Sequence, residues 1–136
     1  MRAALTEADK GRGRTSPNPA VGAVLVRNGA ILARGHHRGP GKPHAEIECL
    51  RDFGGAVPSD ATLYVTLEPC STFGRTPPCT TALIESGVKH AVIGSLDVNP
   101  AHAGRGIELL RHAGLRVETG VLAEECAALN EAFNKW

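Results

Sequence analysis

Two short segments hold residue types that can do chemistry together: Pro43-His44-Ala45-Glu46, and Glu68-Pro69-Cys70 with Pro77-Pro78-Cys79. One imidazole and two thiols make a soft donor set suited to zinc. Three protein ligands leave a fourth position for water, the composition of a reactive site and not of a closed structural one. Ligands placed where helices begin gain further, because free N–H groups and the helix dipole favour thiolate over thiol. Glu46 lies two residues after His44, so a first helical turn would put its carboxylate beside the metal without binding it. Such a group can take a proton from an activated water and hand it to a leaving nitrogen. Taken singly, each residue has a plainer reading. His44 could cap a helix, Cys70 could be a loop thiol, and Cys79 a small buried residue. The conjunction is what points to a hydrolytic metal site.

Those two segments need the rest of the chain to bring them to one place. Apolar strand-like runs alternate with helical periodicity, the pattern of an α/β layer protein. Val21–Arg27 and Ala30–Gly35 flank Asn28-Gly29 and read as an antiparallel hairpin. Pro43-His44 opens a helix to about Phe53, ended by Gly54-Gly55. Ala61–Leu67 is the clearest strand, rich in β-branched and apolar residues. The loop from Glu68 to Pro78 then runs into a helix over Cys79–Ser86, closed by Gly87. Lys89–Gly94 reads as a strand, Gly104–His112 as a helix and Leu115–Thr119 as a short strand. Leu122–Trp136 is expected to close the chain as a helix with Leu122, Cys126, Leu129 and Phe133 on one face. Strands from residue 61 onward alternate with helices and should be parallel, joined by right-handed crossovers. Both chemical segments fall at strand-to-helix connections, where sheets of this kind bind ligands.

Composition narrows the function further. The chain has 136 residues, 42% hydrophobic and 21% charged, which suits one packed domain spanning the whole length. A net charge of +1 and 4% aromatics argue against a nucleic-acid partner, which would call for blanket phosphate neutralisation and base-stacking platforms. No apolar run approaches the roughly 20 residues of a spanning helix, so no membrane partner is expected. The first residues carry acids and no apolar core of an export signal, so the expected compartment is the cytoplasm. There the four cysteines would stand as thiols or metal ligands, since they are too sparse for a disulfide scaffold. Cys49 and Cys126 fall on apolar helix faces and read as core thiols. His90, His102 and His112 read as surface residues.

His-Ala-Glu after a proline, followed by Pro-Cys and a second Cys, is the H-x-E…P-C-x-x-C arrangement of zinc base deaminases, with the Glu as a non-ligand acid and base. The gap here is wider, with eight residues between the cysteines. Thr15-Ser-Pro-Asn-Pro-Ala-Val-Gly-Ala-Val24, Pro43-His-Ala-Glu46 and Tyr64-Val-Thr-Leu-Glu-Pro-Cys-Ser-Thr-Phe-Gly-Arg-Thr-Pro-Pro-Cys79 closely resemble one branch of the cytidine-deaminase-like superfamily. That branch is the deaminase domain of the bifunctional riboflavin-biosynthesis deaminase/reductase. Asp97-Val-Asn-Pro100 and Gly104-Arg-Gly106 resemble its stretch after the fourth strand, and the long insert with Gly-Arg-Thr-Pro-Pro is specific to it.

The resemblance implies a three-layer α/β/α fold on a mixed five-stranded sheet. It also implies a substrate, 2,5-diamino-6-ribosylamino-4(3H)-pyrimidinone 5′-phosphate, from which the 2-amino group leaves as ammonia. By match to the family motifs, His44, Cys70 and Cys79 would hold one zinc ion and Glu46 would shuttle the proton. Asn18 would hydrogen-bond the base, while His37, Arg75, Asp97 and Asn99 would line the ribose-phosphate side. Asn18, Asp97 and Asn99 have plain readings as turn formers, and Arg75 as a solvated loop cation. The family usually has His where Thr72 stands and Pro where Val98 stands, departures that bear on specificity more than on reaction type. It also implies an NADPH-dependent reductase domain, fused or paired, that this chain does not contain. Relatives tend to oligomerise, so the closing helix could serve a homo-oligomer interface or the core. Two rival readings remain: a deaminase of another base or nucleoside, and a zinc-stabilised interaction module without turnover.

Overall fold

The computed structural model describes residues 1–71, 78–97 and 99–130. Its elements run α1 (Arg2–Asp9), β1 (Gly22–Arg27), β2 (Ala30–His36), α2 (Ala45–Phe53), β3 (Thr62–Leu67), α3 (Cys79–Ser86), β4 (His90–Ser95), α4 (Arg105–His112), β5 (Arg116–Thr119) and α5 (Ala123–Leu129). The β1–β2 connection turns at Asn28 and Gly29, with φ of 51° and 77°. Positive φ at both central residues is the turn whose twist suits a hairpin.

The sheet order is β2-β1-β3-β4-β5. β1 runs antiparallel to both β2 and β3, while β3, β4 and β5 are mutually parallel. The mixed sheet expected from the sequence is therefore present. β1 and β4 carry buried residues on both faces, as strands covered by helices on both sides must.

The two faces are covered differently. Ala23, Leu25, Leu63, Val65 and Ile93 point to the side where α2, α3 and α4 bring Cys49, Leu83, Ile107 and Leu110, and together they form the main core. On the opposite face α1 and α5 sit close to the backbone. Cys126 packs against Gly94, and Ala4 and Ala8 pack against Gly22. Small residues make those close approaches, while the branched Val24 and Val92 are also buried outside the main core.

α5 is shorter among the described residues than the helix expected over Leu122–Trp136. It ends at Leu129 with Asn130 as its C-cap, and residues 131–136, including Phe133, lie outside the described residues. The Asn130 side chain is turned back instead: Ala20 N–H donates to its Oδ1 at 2.7 Å, and its Nδ2 donates to Ala20 O at 2.9 Å. Among the described residues no helix is long and apolar enough to cross a membrane.

Candidate active site

Register decides which loops meet. Gly22 pairs with His36, Ala23 with Val65, and Leu67 with Ser95. The start of β1 and the ends of β2, β3 and β4 thus share one edge of the sheet. Asn18 precedes β1, His37 follows β2, Glu68 and Cys70 follow β3, and Asp97 follows β4. All five line one cavity of about 200 Å³, together with His44 and Glu46.

His44 is the N-cap of α2, in extended backbone (φ −70°, ψ 164°) that turns it out of the helix. Where α2 lies is fixed from below by Gly35 on β2, because a Cβ there would overlap the backbone of Ala45 and Cys49. Glu46, inside the first turn, is carried inward and is 3% exposed. Cys79 opens α3 behind Pro78. Cys79 N–H donates to Cys70 Sγ at 3.1 Å, and Thr80 N–H donates to Cys70 O at 3.2 Å. These two bonds clasp the ends of the intervening loop and bring both thiols to one spot.

The donor atoms of His44, Cys70 and Cys79 all lie within 4.8 Å of one another. His44 Nδ1 is 3.1 Å from Cys79 Sγ and 3.7 Å from Cys70 Sγ. Tetrahedral zinc with ordinary Zn–N and Zn–S lengths needs ligand separations of about 3.5 Å, so this donor set fits that metal. Cys79 is buried, Cys70 half-buried and His44 exposed on the cavity side. Glu46 stays outside the set, as its placement in the helix requires.

Electrostatics follow from this crowding. Burial pushes the Glu46 carboxyl up to about 7, against weaker pulls down from its own backbone N–H and from His44. The hydrogen bond between the two thiols moves them in opposite directions. It is the first cause of the depressed Cys70, where burial opposes and His44 helps. It is also the first cause of the raised Cys79, where burial adds to it. The same Cys70 raises His44. Negative charge is thus drawn to the spot where a cation would bind it.

Deeper in the cavity the His37 ring meets the His44 ring edge to face, with centroids 5.5 Å apart. His37 Nδ1 is 3.0 Å from Pro43 O, and its Nε2 is 3.2 Å from Asn18 Nδ2. A carbonyl only accepts, so Nδ1 is the donor and Nε2 of the neutral ring accepts from the Asn18 amide. That consumes one Asn18 N–H and turns its Oδ1 into the acceptor left for the cavity. His37, at 3% exposure, spends both ring nitrogens on the protein.

The remaining residues expected from the sequence are distributed unevenly. Asp97 lines the cavity, and its Oδ1 accepts from Asn99 N–H at 2.9 Å. Asn99 is exposed, its own Oδ1 accepting from Ala101 N–H at 3.0 Å. Both plain turn-forming roles are therefore realised. Arg75, Thr72 and Val98 lie outside the described residues. One cavity residue, Glu68, has a place no spacing rule announces: it is buried and accepts several backbone N–H groups from the β4–α4 segment. Cys49 and Cys126 are buried, at 0% and 1% exposure.

A family model described as the cytidine and deoxycytidylate deaminase zinc-binding region matches residues 1–95. The riboflavin biosynthesis protein RibD of Aquifex aeolicus is 53% identical over 133 residues, covering 98% of this chain and 37% of that protein. This chain therefore spans little more than a third of that relative's length. The diaminohydroxyphosphoribosylamino-pyrimidine deaminase of Buchnera aphidicola is 43% identical, covering 99% of this chain and 91% of its own length. Among solved structures, Acinetobacter baumannii RibD superposes with a TM-score of 0.94 at 44% identity, covering 99% of this chain and 38% of that one.

Proposed function

Because the chain belongs to the cytidine and deoxycytidylate deaminase zinc-binding family, we propose that it is a zinc-dependent hydrolase of riboflavin biosynthesis. It removes the 2-amino group of 2,5-diamino-6-ribosylamino-4(3H)-pyrimidinone 5′-phosphate as ammonia and leaves the corresponding pyrimidinedione. The observation that carries the chemistry is the His44–Cys70–Cys79 donor set, two of whose members, His44 and Cys70, line the same cavity as the buried Glu46. The substrate is supported by the Cys-x8-Cys loop sequence and by the names of the relatives.

In this reading His44 Nδ1 and the two sulfurs would hold one zinc ion per chain, and its Lewis acidity would make water a nucleophile at neutral pH. Glu46 is the group that accepts a proton from the attacking water and returns it to the departing nitrogen. Near pH 7 a carboxyl with a pKa of about 7 can do both. Asn18 Oδ1, oriented by His37, accepts from an N–H on the pyrimidine edge. Asp97 on the cavity wall would take the ribose hydroxyls, with His37 behind it and Asn99 at the outer rim, and Arg75 is assigned the phosphate. The partner is a small phosphorylated pyrimidine, the compartment the cytoplasm, and residues 1–136 act as one deaminase domain. In longer relatives a reductase domain would take the product.

The test is ammonia release from zinc-loaded protein offered the diaminopyrimidine ribotide, its dephosphorylated form, cytidine, guanine and single-stranded DNA. Turnover should be fastest on the ribotide. Faster turnover on another base overturns the substrate assignment. Zinc bound with no ammonia from any of them leaves a structural metal module.

A further inference from the structure

Glu68 follows β3, is 6% exposed and forms part of the cavity wall. Its Oε1 accepts from the backbone N–H groups of Asp97 at 3.1 Å and Gly104 at 2.9 Å. Its Oε2 accepts from those of Gly106 at 2.9 Å and Ile107 at 3.4 Å. A carboxylate offers about four acceptor positions, and here one side chain fills them all from a single segment. α4 has no side-chain cap of its own and starts behind Gly104 at φ 84°. Its first N–H groups would be orphans; a carboxylate from a different strand satisfies them and complements the helix dipole. The close approach also depends on Gly106, because a Cβ there would overlap the Pro69 carbonyl.

We propose that Glu68 is a positioning residue for substrate binding: its carboxylate hangs Asp97 and the start of α4 on the end of β3 and so sets where Asp97 faces the cavity. Asp97 is the link, since its N–H is held by Glu68 while its side chain lines the cavity and braces Asn99. The β3–β4 pairing extends to Leu67 and Ser95 without any help from the Glu68 side chain. The zinc ligands sit on α2, α3 and the start of the β3–α3 loop. Loss of the carboxylate should therefore loosen the binding wall before it disturbs sheet or metal. A second consequence is that the N-terminus of α4 is already occupied by a protein anion, so the phosphate of a substrate must find its cations elsewhere.

The role in binding rests on the proposed deaminase reading; the anchoring itself does not, and the experiment separates them. Glu68→Gln keeps the size but replaces two acceptor positions by an NH2 that meets N–H groups head on. Amide hydrogen exchange is read on zinc-loaded wild type and variant. Protection should fall across residues 97–107 while β1 and β3 keep theirs. Unchanged protection there, or an even loss over the whole chain, overturns the anchoring. In ribotide turnover, KM should rise about tenfold, the size expected from one lost charge-assisted hydrogen bond. The fall in kcat should be smaller, with zinc content unchanged. Loss of zinc, or a fall in kcat alone, overturns the positioning role. Gly106→Ala perturbs the same junction from the other side. It should raise KM likewise, and the double variant should cost less than the two changes added; full additivity counts against a shared element. A wild type inactive on the ribotide refutes the substrate and leaves the exchange result standing.

Discussion

A carboxyl whose pKa burial has brought to about 7 gives up and regains a proton at little cost near neutral pH, which suits the acid and base role proposed for Glu46. Glu46→Gln removes that capacity and leaves the donor set intact. Zinc content should stay at the wild-type level while ammonia release falls by about 10²–10⁴-fold; near-normal turnover in the zinc-loaded variant would strip Glu46 of its role. The variant should also be at least as stable as wild type, since it no longer buries an ionisable group. At this scale the sequence was most legible where chemistry depends on spacing. Residue type and position bring His44, Glu46, Cys70 and Cys79 forward as candidates, and the fold gathers the three donor atoms within 4.8 Å of one another. His37 and Glu68 do not. What they do depends on backbone atoms they reach, Pro43 O for one and the N–H groups of Asp97, Gly104 and Gly106 for the other. No pattern of side chains announces a backbone partner. The Gly104-x-Gly106 pair was the trace left of it, a place where one backbone had to approach another.

Elements carry the residues to the site, and α2 carries two of them. Its seat on β2 depends on the bare Cα of Gly35. Gly35→Ala puts a methyl against the backbone of Ala45 and Cys49, so the helix must lift. The expected cost is about 1–3 kcal/mol of stability, the usual range for overpacking, measured by denaturant unfolding. Because His44 and Glu46 ride on the lifted end, zinc affinity in a competition titration should weaken as well. An affinity equal to wild type would mean that the site is not rigidly coupled to that seat. Strands and helices were legible through apolar runs and turn residues, Asn28-Gly29 most directly. The pairing of β1 with β3 was not, because an antiparallel neighbour joined through a helix leaves no local mark. That pairing nevertheless brings Asn18 to Cys70 and makes the cavity.

For the molecule as a whole, a metal held by His44, Cys70 and Cys79 would tie the start of α2 to the start of α3, two helices that share the larger core face. A ligand that binds the folded state alone stabilises it by mass action. Chelation should therefore lower the thermal midpoint, and restored zinc should raise it in a concentration-dependent way. A midpoint indifferent to both would deny the site a tie between the helices. The distribution of the four thiols has an analytical use here. Cys49 and Cys126 are shut in the interior and Cys79 is buried, whereas Cys70 is half open and holds the depressed pKa of the pair. Alkylating reagents attack thiolate that they can reach. In the folded, zinc-free protein, labelling should proceed at Cys70, and bound zinc should protect it. The protein then reports its own metal occupancy by mass, one adduct against none, without a substrate or an added dye.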